Sequence, residues 1–152
     1  MVQLQTITYD TIGSSPLLAD SIYVFIDSMV TQLWLPVEVC QSFEKAFNLT
    51  WNSTAQLYLI DEGVHTALLA QSPTFTFTLA STNSSSQSVD IVLPYAAFDL
   101  NVTQPIVADG PSRYFPLQQA QNSSQYTLGR VFLQEAYVIA DYERHNLSLI
   151  HI

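Results

Sequence analysis

The residue with the most unusual surroundings in this sequence is Asp27. It directly follows the apolar run SIYVFI at 21–26, and a second apolar stretch leads from Leu33 to Pro36. A carboxylate between two apolar runs must end a strand, pair with another group or be protonated. A protonatable carboxylate is also what general acid–base chemistry uses. Asp27 is therefore the candidate catalytic residue, and a strand-end carboxylate that binds backbone amides is the alternative.

Other catalytic chemistries find little support in the sequence. It contains no Gly-rich phosphate loop, no H-E-x-x-H and no G-x-S-x-G, and it has only four glycines. Cys40 is the single cysteine, so we expect no intrachain disulfide; it is either a buried helix residue or paired outside this chain. His65, His145 and His151 lack metal-ligand spacing and are assigned to the surface or to loops. We predict no metal and no cofactor.

The elements that must position Asp27 are mostly short strands. Pro36 opens a predicted helix with Val39, Phe43, Ala46 and Phe47 on one face. Asp61 and Glu62 are assigned to a solvated cap at the start of a second helix. Tyr114 and Phe115 are assigned to an exposed cleft edge. Further helices are predicted at 62–71 and 132–137, and strands at 21–26, 56–60, 74–79, 89–93, 137–140 and 147–150. The pattern predicts an all-β fold of mostly antiparallel strands with two or three short helices.

Length and charge limit the function further. The 152 residues suit one domain, and no linker divides them. Four Lys and Arg residues against thirteen Asp and Glu give a net charge of −9, which leaves no basic face for nucleic acid. No run of eighteen apolar residues is present, so we expect no membrane span.

Every asparagine in the chain begins an N-x-Ser/Thr acceptor site for N-glycosylation. The six are Asn48, Asn52, Asn83, Asn101, Asn122 and Asn146. This pattern predicts a secreted glycoprotein with glycans on exposed loops. The N-terminus lacks the features of a signal peptide, so we expect an upstream part of the protein outside this chain.

Two ordered motifs carry a resemblance to a known family. Asp27 is followed by a serine, hydroxyl and apolar residues, and a proline nine positions later. About a hundred residues on, Leu128-Gly129 precedes Val-Phe-Leu at 131–133, and a run from Tyr137 ends at Asp141. Both motifs resemble the C-terminal lobe of pepsin-like (family A1) aspartic peptidases, and the chain looks closest to secreted, glycosylated fungal members.

The resemblance implies a single lobe of the bilobal pepsin-like acid protease fold over residues 1–152. The N-terminal lobe, with its own Asp-Thr-Gly loop and flap, is absent from this sequence, and a partner for Cys40 would lie there. In this family, two carboxylates sharing one proton hydrolyse peptide bonds at acid pH. The resemblance assigns Asp27 as one of them.

The same resemblance assigns the active-site loop. Ser28 corresponds to the Thr/Ser that braces the two loops, Thr31 to a frequent Ser/Thr, and Gly129 to the glycine beneath the catalytic loop. Met29 stands where the family pattern has glycine, and we expect it to crowd the water site or to rearrange the loop.

The resulting prediction is a partial aspartic endopeptidase that is inactive as an isolated lobe. Its expected partners are a polypeptide substrate and the N-terminal lobe. The alternative is a non-catalytic, secreted peptide-binding glycoprotein of the same fold. A homodimer that pairs two Asp27 residues, as single-lobed retroviral peptidases do, is the possibility we favour least.

Overall fold

The computed structural model describes residues 1–10, 15–81, 84–108, 110–141, 143 and 146–151. These residues are mostly β-strands, as predicted, with two α-helices: α1 (Val37–Phe47) and α2 (Glu62–Gln71). The strands are β1 (Val2–Tyr9), β2 (Ile22–Ile26), β3 (Leu33–Leu35), β4 (Thr50–Asn52), β5 (Leu57–Ile60), β6 (Thr74–Ser81), β7 (Ser84–Pro94), β8 (Leu100–Val102), β9 (Ser112–Phe115), β10 (Leu117–Gln119), β11 (Thr127–Leu128), β12 (Ala136–Asp141) and β13 (Asn146–His151).

Within the described residues the strands form three sheets. The largest has the order β10-β3-β11-β2-β1-β6-β7, the second β4-β5-β9-β8, and the third is the hairpin β12-β13. Most neighbours are antiparallel, but β10 runs parallel to β3, and β11 runs parallel to β2. Neighbours distant in sequence, such as β11 and β2, could not be identified from local pattern.

Strand β6 shows why the β-pattern is readable in this sequence. Phe75, Phe77 and Leu79 are fully or almost fully buried, whereas the alternating threonines lie on the other face. This strand pairs antiparallel with β1 on one side and with β7 on the other. The predicted strands at 74–79 and 89–93 are thus confirmed, and both are longer than predicted.

The two helices begin and end for local reasons. Pro36 precedes α1, and Glu38 and Lys45 lie in its first and last turns, where the helix dipole favours their charges. Its buried face is Val39, Cys40, Phe43 and Phe47, whereas Ala46, predicted on that face, is exposed. The Asp61 side chain caps α2 by accepting the Val64 N–H, as predicted.

The core is centred on five phenylalanine rings. In eight contacting pairs of these rings the centroids lie 4.5–6.2 Å apart, and all five rings are buried: Phe43, Phe47, Phe75, Phe98 and Phe115. The prediction that Phe115 lines an exposed cleft edge is therefore wrong. In β9 it alternates with Tyr114, and alternation turns only one of the two toward the core.

The assignment of His65 to the surface is also wrong. This residue is 4% exposed on α2, and its Nε2 lies 3.0 Å from Asp99 Oδ1. Arg113 Nη1 approaches the same oxygen at 3.4 Å. Asp99, which is distant in sequence, offsets the free-energy cost of burying the polar imidazole ring. His145 and the side chain of His151 lie outside the described residues.

The remaining differences concern short elements. The helix predicted at 132–137 is a single 3-10 turn, Phe132–Gln134, and β12 begins at Ala136 after one intervening residue. Strands of two to four residues, such as β3, β10 and β11, are too short to show a period of their own. In the described part of the chain, neither helix is long and apolar enough to cross a membrane.

Candidate active site

Asp27 stands at the end of β2 with its side chain exposed to solvent. Its backbone N–H donates to the Leu128 carbonyl at 3.1 Å, which extends the pairing of β2 with β11 by one residue. The carboxylate Oδ1 accepts the backbone N–H of Met29 at 2.8 Å. The strand-end hydrogen bond and the solvent-facing carboxylate therefore occur together, so the two interpretations of Asp27 do not exclude each other.

The loop that carries Asp27 crosses the end of β11. Strand β11 lies between β2 and β3, parallel to β2 and antiparallel to β3. The chain leaves β2 at Ile26 and enters β3 at Leu33, so residues 27–32 must pass over the strand between them. Because β11 belongs to a segment about a hundred residues later, this loop is supported by long-range pairing.

Gly129 follows β11 directly and lies against this loop. A Cβ atom built on Gly129 would stand 2.3 Å from the Gln32 carbonyl oxygen and 2.5 Å from that of Val30. Next to it, the Arg130 N–H donates to the Val30 carbonyl at 2.8 Å and the Val131 N–H donates to the Thr31 carbonyl at 3.3 Å. The glycine is required here because two backbone segments touch.

Met29 lies on the surface of this lobe. Its side chain is 86% exposed. Its backbone φ is not in the positive, left-handed region that favours glycine. Its backbone N–H holds the Asp27 carboxylate, an interaction that any residue other than proline could make. Within this lobe the Met29 side chain thus points into solvent, and its effect on the water site and on the loop stays a prediction.

The two hydroxyl residues of the loop, Ser28 and Thr31, are exposed. Within the described residues, neither side-chain hydroxyl makes a hydrogen bond. In the described part of the chain, the Asp27 carboxylate forms no ion pair. The same part of the chain holds no group of three His, Cys, Asp or Glu side chains placed to bind a metal ion.

Cys40 is a fully buried thiol on α1, as predicted. Its Sγ lies 3.4 Å from the Gln118 carbonyl oxygen and 3.7 Å from that of Leu35. Burial, with a smaller contribution from the Glu44 carboxylate, raises the pKa of the thiol to about 12. The thiolate that nucleophilic chemistry needs is therefore scarce at neutral pH.

The glycosylation acceptors differ in accessibility. Asn48, Asn101 and Asn122 are exposed. Asn52 is half-buried, and its Oδ1 accepts the backbone N–H groups of Thr54 and Ala55. Asn83 and the side chain of Asn146 lie outside the described residues, and glycan attachment stays a prediction at every site.

Sequence reasoning missed a cavity of about 590 Å³ beside the loop. Thr31 and Gln32 form one side of it, and Tyr114, which was assigned to a cleft edge, forms another. Burial raises the pKa of the Tyr114 phenol, and the positive charge of Arg130 opposes this rise. The cavity walls come from segments 31–32, 55–57, 101–106 and 114–118, and no local signal connects these segments.

Comparisons with known proteins agree with this geometry. A family model described as eukaryotic aspartyl protease matches residues 1–151. No curated protein matches the chain. Among solved structures, the aspartic proteinase from Irpex lacteus superposes with a TM-score of 0.66 at 18% identity, over 99% of this chain and 41% of that one.

The structural match shows the fold, which is that of a single lobe of a pepsin-like aspartic protease. The chain spans less than half the length of this solved relative. The family model, in contrast, covers nearly every residue. On this evidence the chain belongs to the eukaryotic aspartyl protease family.

Proposed function

We propose that residues 1–152 act as the C-terminal lobe of a two-lobed acid endopeptidase, with Asp27 as one of its two catalytic carboxylates. The observation that carries the proposal is the exposed carboxylate of Asp27 on a loop held from behind by residues 129–131. A catalytic carboxylate needs this combination of access to substrate and a fixed position.

The reaction needs a second carboxylate. Two carboxylates about 3 Å apart cannot both ionise, so they share one proton; one activates water as a base while the other donates to the scissile carbonyl. In this proposal the N-terminal lobe supplies the second group, because Asp27 alone has no partner with which to divide the two roles. The isolated chain is then inactive.

The Met29 N–H helps to prepare Asp27 for this role. By donating to Oδ1 at 2.8 Å it fixes the orientation of the carboxylate. The unpaired hydroxyls of Ser28 and Thr31 are available for hydrogen bonds to the loop of the other lobe. Gly129 acts indirectly, since it lets the chain support the loop from behind.

Exposed apolar side chains fit a surface that another lobe covers. Tyr23 and Phe25 lie on one face of β2, next to the Asp27 loop, and both are more than 40% exposed. Tyr137 and Ile139 likewise share one face of β12 and are exposed. We assign these two faces to contact with the N-terminal lobe.

The proposal includes secretion and glycosylation, as in the fungal members that the sequence resembles. Asn48, Asn101 and Asn122 are exposed, as glycan acceptors must be. An acid-active peptidase with a net charge of −9 would also suit an acidic extracellular medium, where protonation of carboxylates reduces self-repulsion.

One observation favours a second candidate function, that of a secreted module that binds peptides without cleaving them. Met29, whose backbone N–H binds the Asp27 carboxylate, carries a large side chain that is 86% exposed. In a closed two-lobed protein this side chain would compete with the catalytic water for space, whereas peptide binding elsewhere in the cleft would not depend on that water.

The test is peptide cleavage between pH 3 and 6, with and without pepstatin. The chain is assayed alone and fused to the N-terminal lobe of a fungal aspartic proteinase, with folding checked by circular dichroism. We expect pepstatin-sensitive cleavage by the fusion and none by the chain alone. Asp27→Asn should abolish it, whereas Asp20→Asn, which removes an exposed carboxylate outside the loop, should not.

Other outcomes identify the alternatives. Cleavage by the chain alone that Asp27→Asn abolishes would mean that two copies assemble a working pair of carboxylates. A folded fusion that binds peptides without cleaving them would favour the binding module.

A further inference from the structure

The cavity beside the Asp27 loop has an unusual lining. Its floor includes Leu57 and Val102, which belong to a small apolar cluster separate from the main core. Five residues of its lining carry carboxamide side chains: Gln32, Gln56, Asn101, Gln104 and Gln118. Thr31, Thr103 and Tyr114 add hydroxyl groups. Among the described residues, no side chain that lines this cavity carries a charge.

Some of these carboxamides are engaged and others are not. Gln118 Nε2 donates to the Gln56 carbonyl, and Gln104 Nε2 donates to the Ala108 carbonyl at 3.0 Å. Within the described residues, the side-chain amides of Gln32, Gln56 and Asn101 make no hydrogen bond. Gln32 is half-buried and lines the cavity, and its side-chain amide has no hydrogen-bond partner among the described residues.

This chemistry selects a particular kind of ligand. A carboxamide has one acceptor and two donor hydrogens, and it pairs best with a group that offers both in return, such as another amide. A charged ligand would lose hydration without gaining an opposite charge from the lining. A purely aliphatic ligand would leave the free amides unsatisfied.

We propose that this cavity binds an uncharged, carboxamide-bearing side chain of a polypeptide, glutamine above all. The methylene groups would lie on the apolar floor at Leu57 and Val102, and the amide would pair with that of Gln32. A cavity of about 590 Å³ is ample for one side chain and its adjoining backbone. The identification of that polypeptide as substrate rests on the proposed function; the binding itself does not.

One neighbouring charge competes with this preference. Arg130 lies close enough to oppose the rise in the pKa of the Tyr114 phenol, although it does not line the cavity. An acidic side chain would be attracted by this guanidinium, but without direct contact the attraction is screened by solvent. Glutamate peptides are therefore the decisive comparison.

The experiment measures binding to the 152-residue chain carrying Asp27→Asn, so that no catalysis intervenes. The probes are N-acetyl-Ala-X-Ala-amides with X as Gln, Leu, Glu or Lys, titrated by NMR at pH 7. We expect the Gln peptide to bind at least about fivefold more tightly than the other three, the effect of about one net hydrogen bond. The shifted resonances should belong to cavity residues.

Substitutions then test the role of Gln32. Gln32→Leu should remove most of the preference for the Gln peptide, and Gln32→Glu should transfer the preference to the Lys peptide. Gln121→Leu, which changes an exposed glutamine outside the cavity, is the matched control and should leave binding unchanged.

The outcomes separate this inference from the proposed function. Equal binding of all four peptides, or a preference for Glu, would overturn the inference. Cleavage by the two-lobed fusion without a Gln preference would overturn the assignment of this cavity to substrate and leave the peptidase intact. Gln-selective binding by a fusion that never cleaves would overturn the peptidase function and keep the inference.

Discussion

At the scale of single residues, position 129 depends on the absence of a side chain. The Gln32 and Val30 carbonyl oxygens approach Gly129 so closely that a Cβ would lie 2.3–2.5 Å from them. Both are backbone atoms, which cannot rotate away as a flexible side chain would. Any substitution must therefore displace the Asp27 loop or the segment after β11.

We expect Gly129→Ala to lower the free energy of unfolding by about 3 kcal/mol, the upper part of the usual range for overpacking. The matched control is Gly63→Ala on α2, where the added Cβ would meet only the Asp61 side chain at 3.3 Å. This control should change stability little, since alanine favours a helix. Guanidinium unfolding measures both, and equal stability of the two variants would contradict the close approach.

At the scale of elements, a polar contact joins α1 to two strands. The Tyr58 hydroxyl on β5 donates to Glu44 Oε1 on α1 at 2.6 Å, and Gln119 Nε2 on β10 donates to Tyr58 Oη at 2.6 Å. The Tyr58 ring is fully buried and packs against Trp51, with centroids 4.8 Å apart. Burial and the hydrogen bond to Glu44 raise the pKa of the Tyr58 phenol above its usual value.

Tyr58→Phe should cost about 2 kcal/mol of stability at pH 7, because it removes a charge-assisted hydrogen bond to Glu44 and leaves Gln119 Nε2 only its longer hydrogen bond to Glu44 Oε1, at 3.5 Å. The cost should shrink above pH 10. There the unfolded chain releases the Tyr58 proton while the folded chain retains it, so the unsubstituted protein loses more stability than the variant as the pH rises. Cys40, Tyr95 and Tyr114, whose pKa values are also raised by burial, lower the stability of both proteins as the pH rises. Tyr23→Phe, at an exposed phenol, is the control and should leave stability unchanged at pH 7. Urea unfolding at pH 7 and 11 gives both values, and a cost that grows with pH would contradict this account.

At the scale of the whole molecule, the chain combines a net charge of −9 with two exposed apolar strand faces. On β12 the exposed pair is Tyr137 and Ile139, which lie two residues apart and so share a face. Contiguous exposed apolar surface marks sites that contact a partner, whereas isolated exposed apolar residues are ordinary.

The folded chain should therefore bind Nile red, an uncharged dye that the negative protein does not repel. Tyr137→Thr combined with Ile139→Thr should reduce the dye fluorescence by about a third or more, because one of the two apolar faces is lost while β-propensity is kept. Leu69→Gln removes an isolated exposed leucine on α2 and should have little effect. Absence of dye binding by a chain with native circular dichroism would show that these faces are not a continuous apolar surface.

Much of the local structure was readable from the sequence by itself. The alternation around Phe75 and Phe77, the helix capped by Asp61 and the burial of Cys40 follow from periods of two and 3.6 residues and from capping, which act over a few neighbouring residues. The position of Asp27 at a strand end is equally local. The motif around Gly129 indicated the family, which the family model confirms.

The tertiary structure alone decided how distant segments meet. Placement of β11 between β2 and β3, burial of His65 beside Asp99 and Arg113, and convergence of the carboxamides on one cavity each join residues far apart in sequence. Such contacts leave no local period, because many pairings of short strands satisfy the same hydrophobic pattern. Packing of the whole core selects one of them. The sequence by itself thus determined the local elements and the family, and the tertiary contacts decided which side chains surround the Asp27 loop.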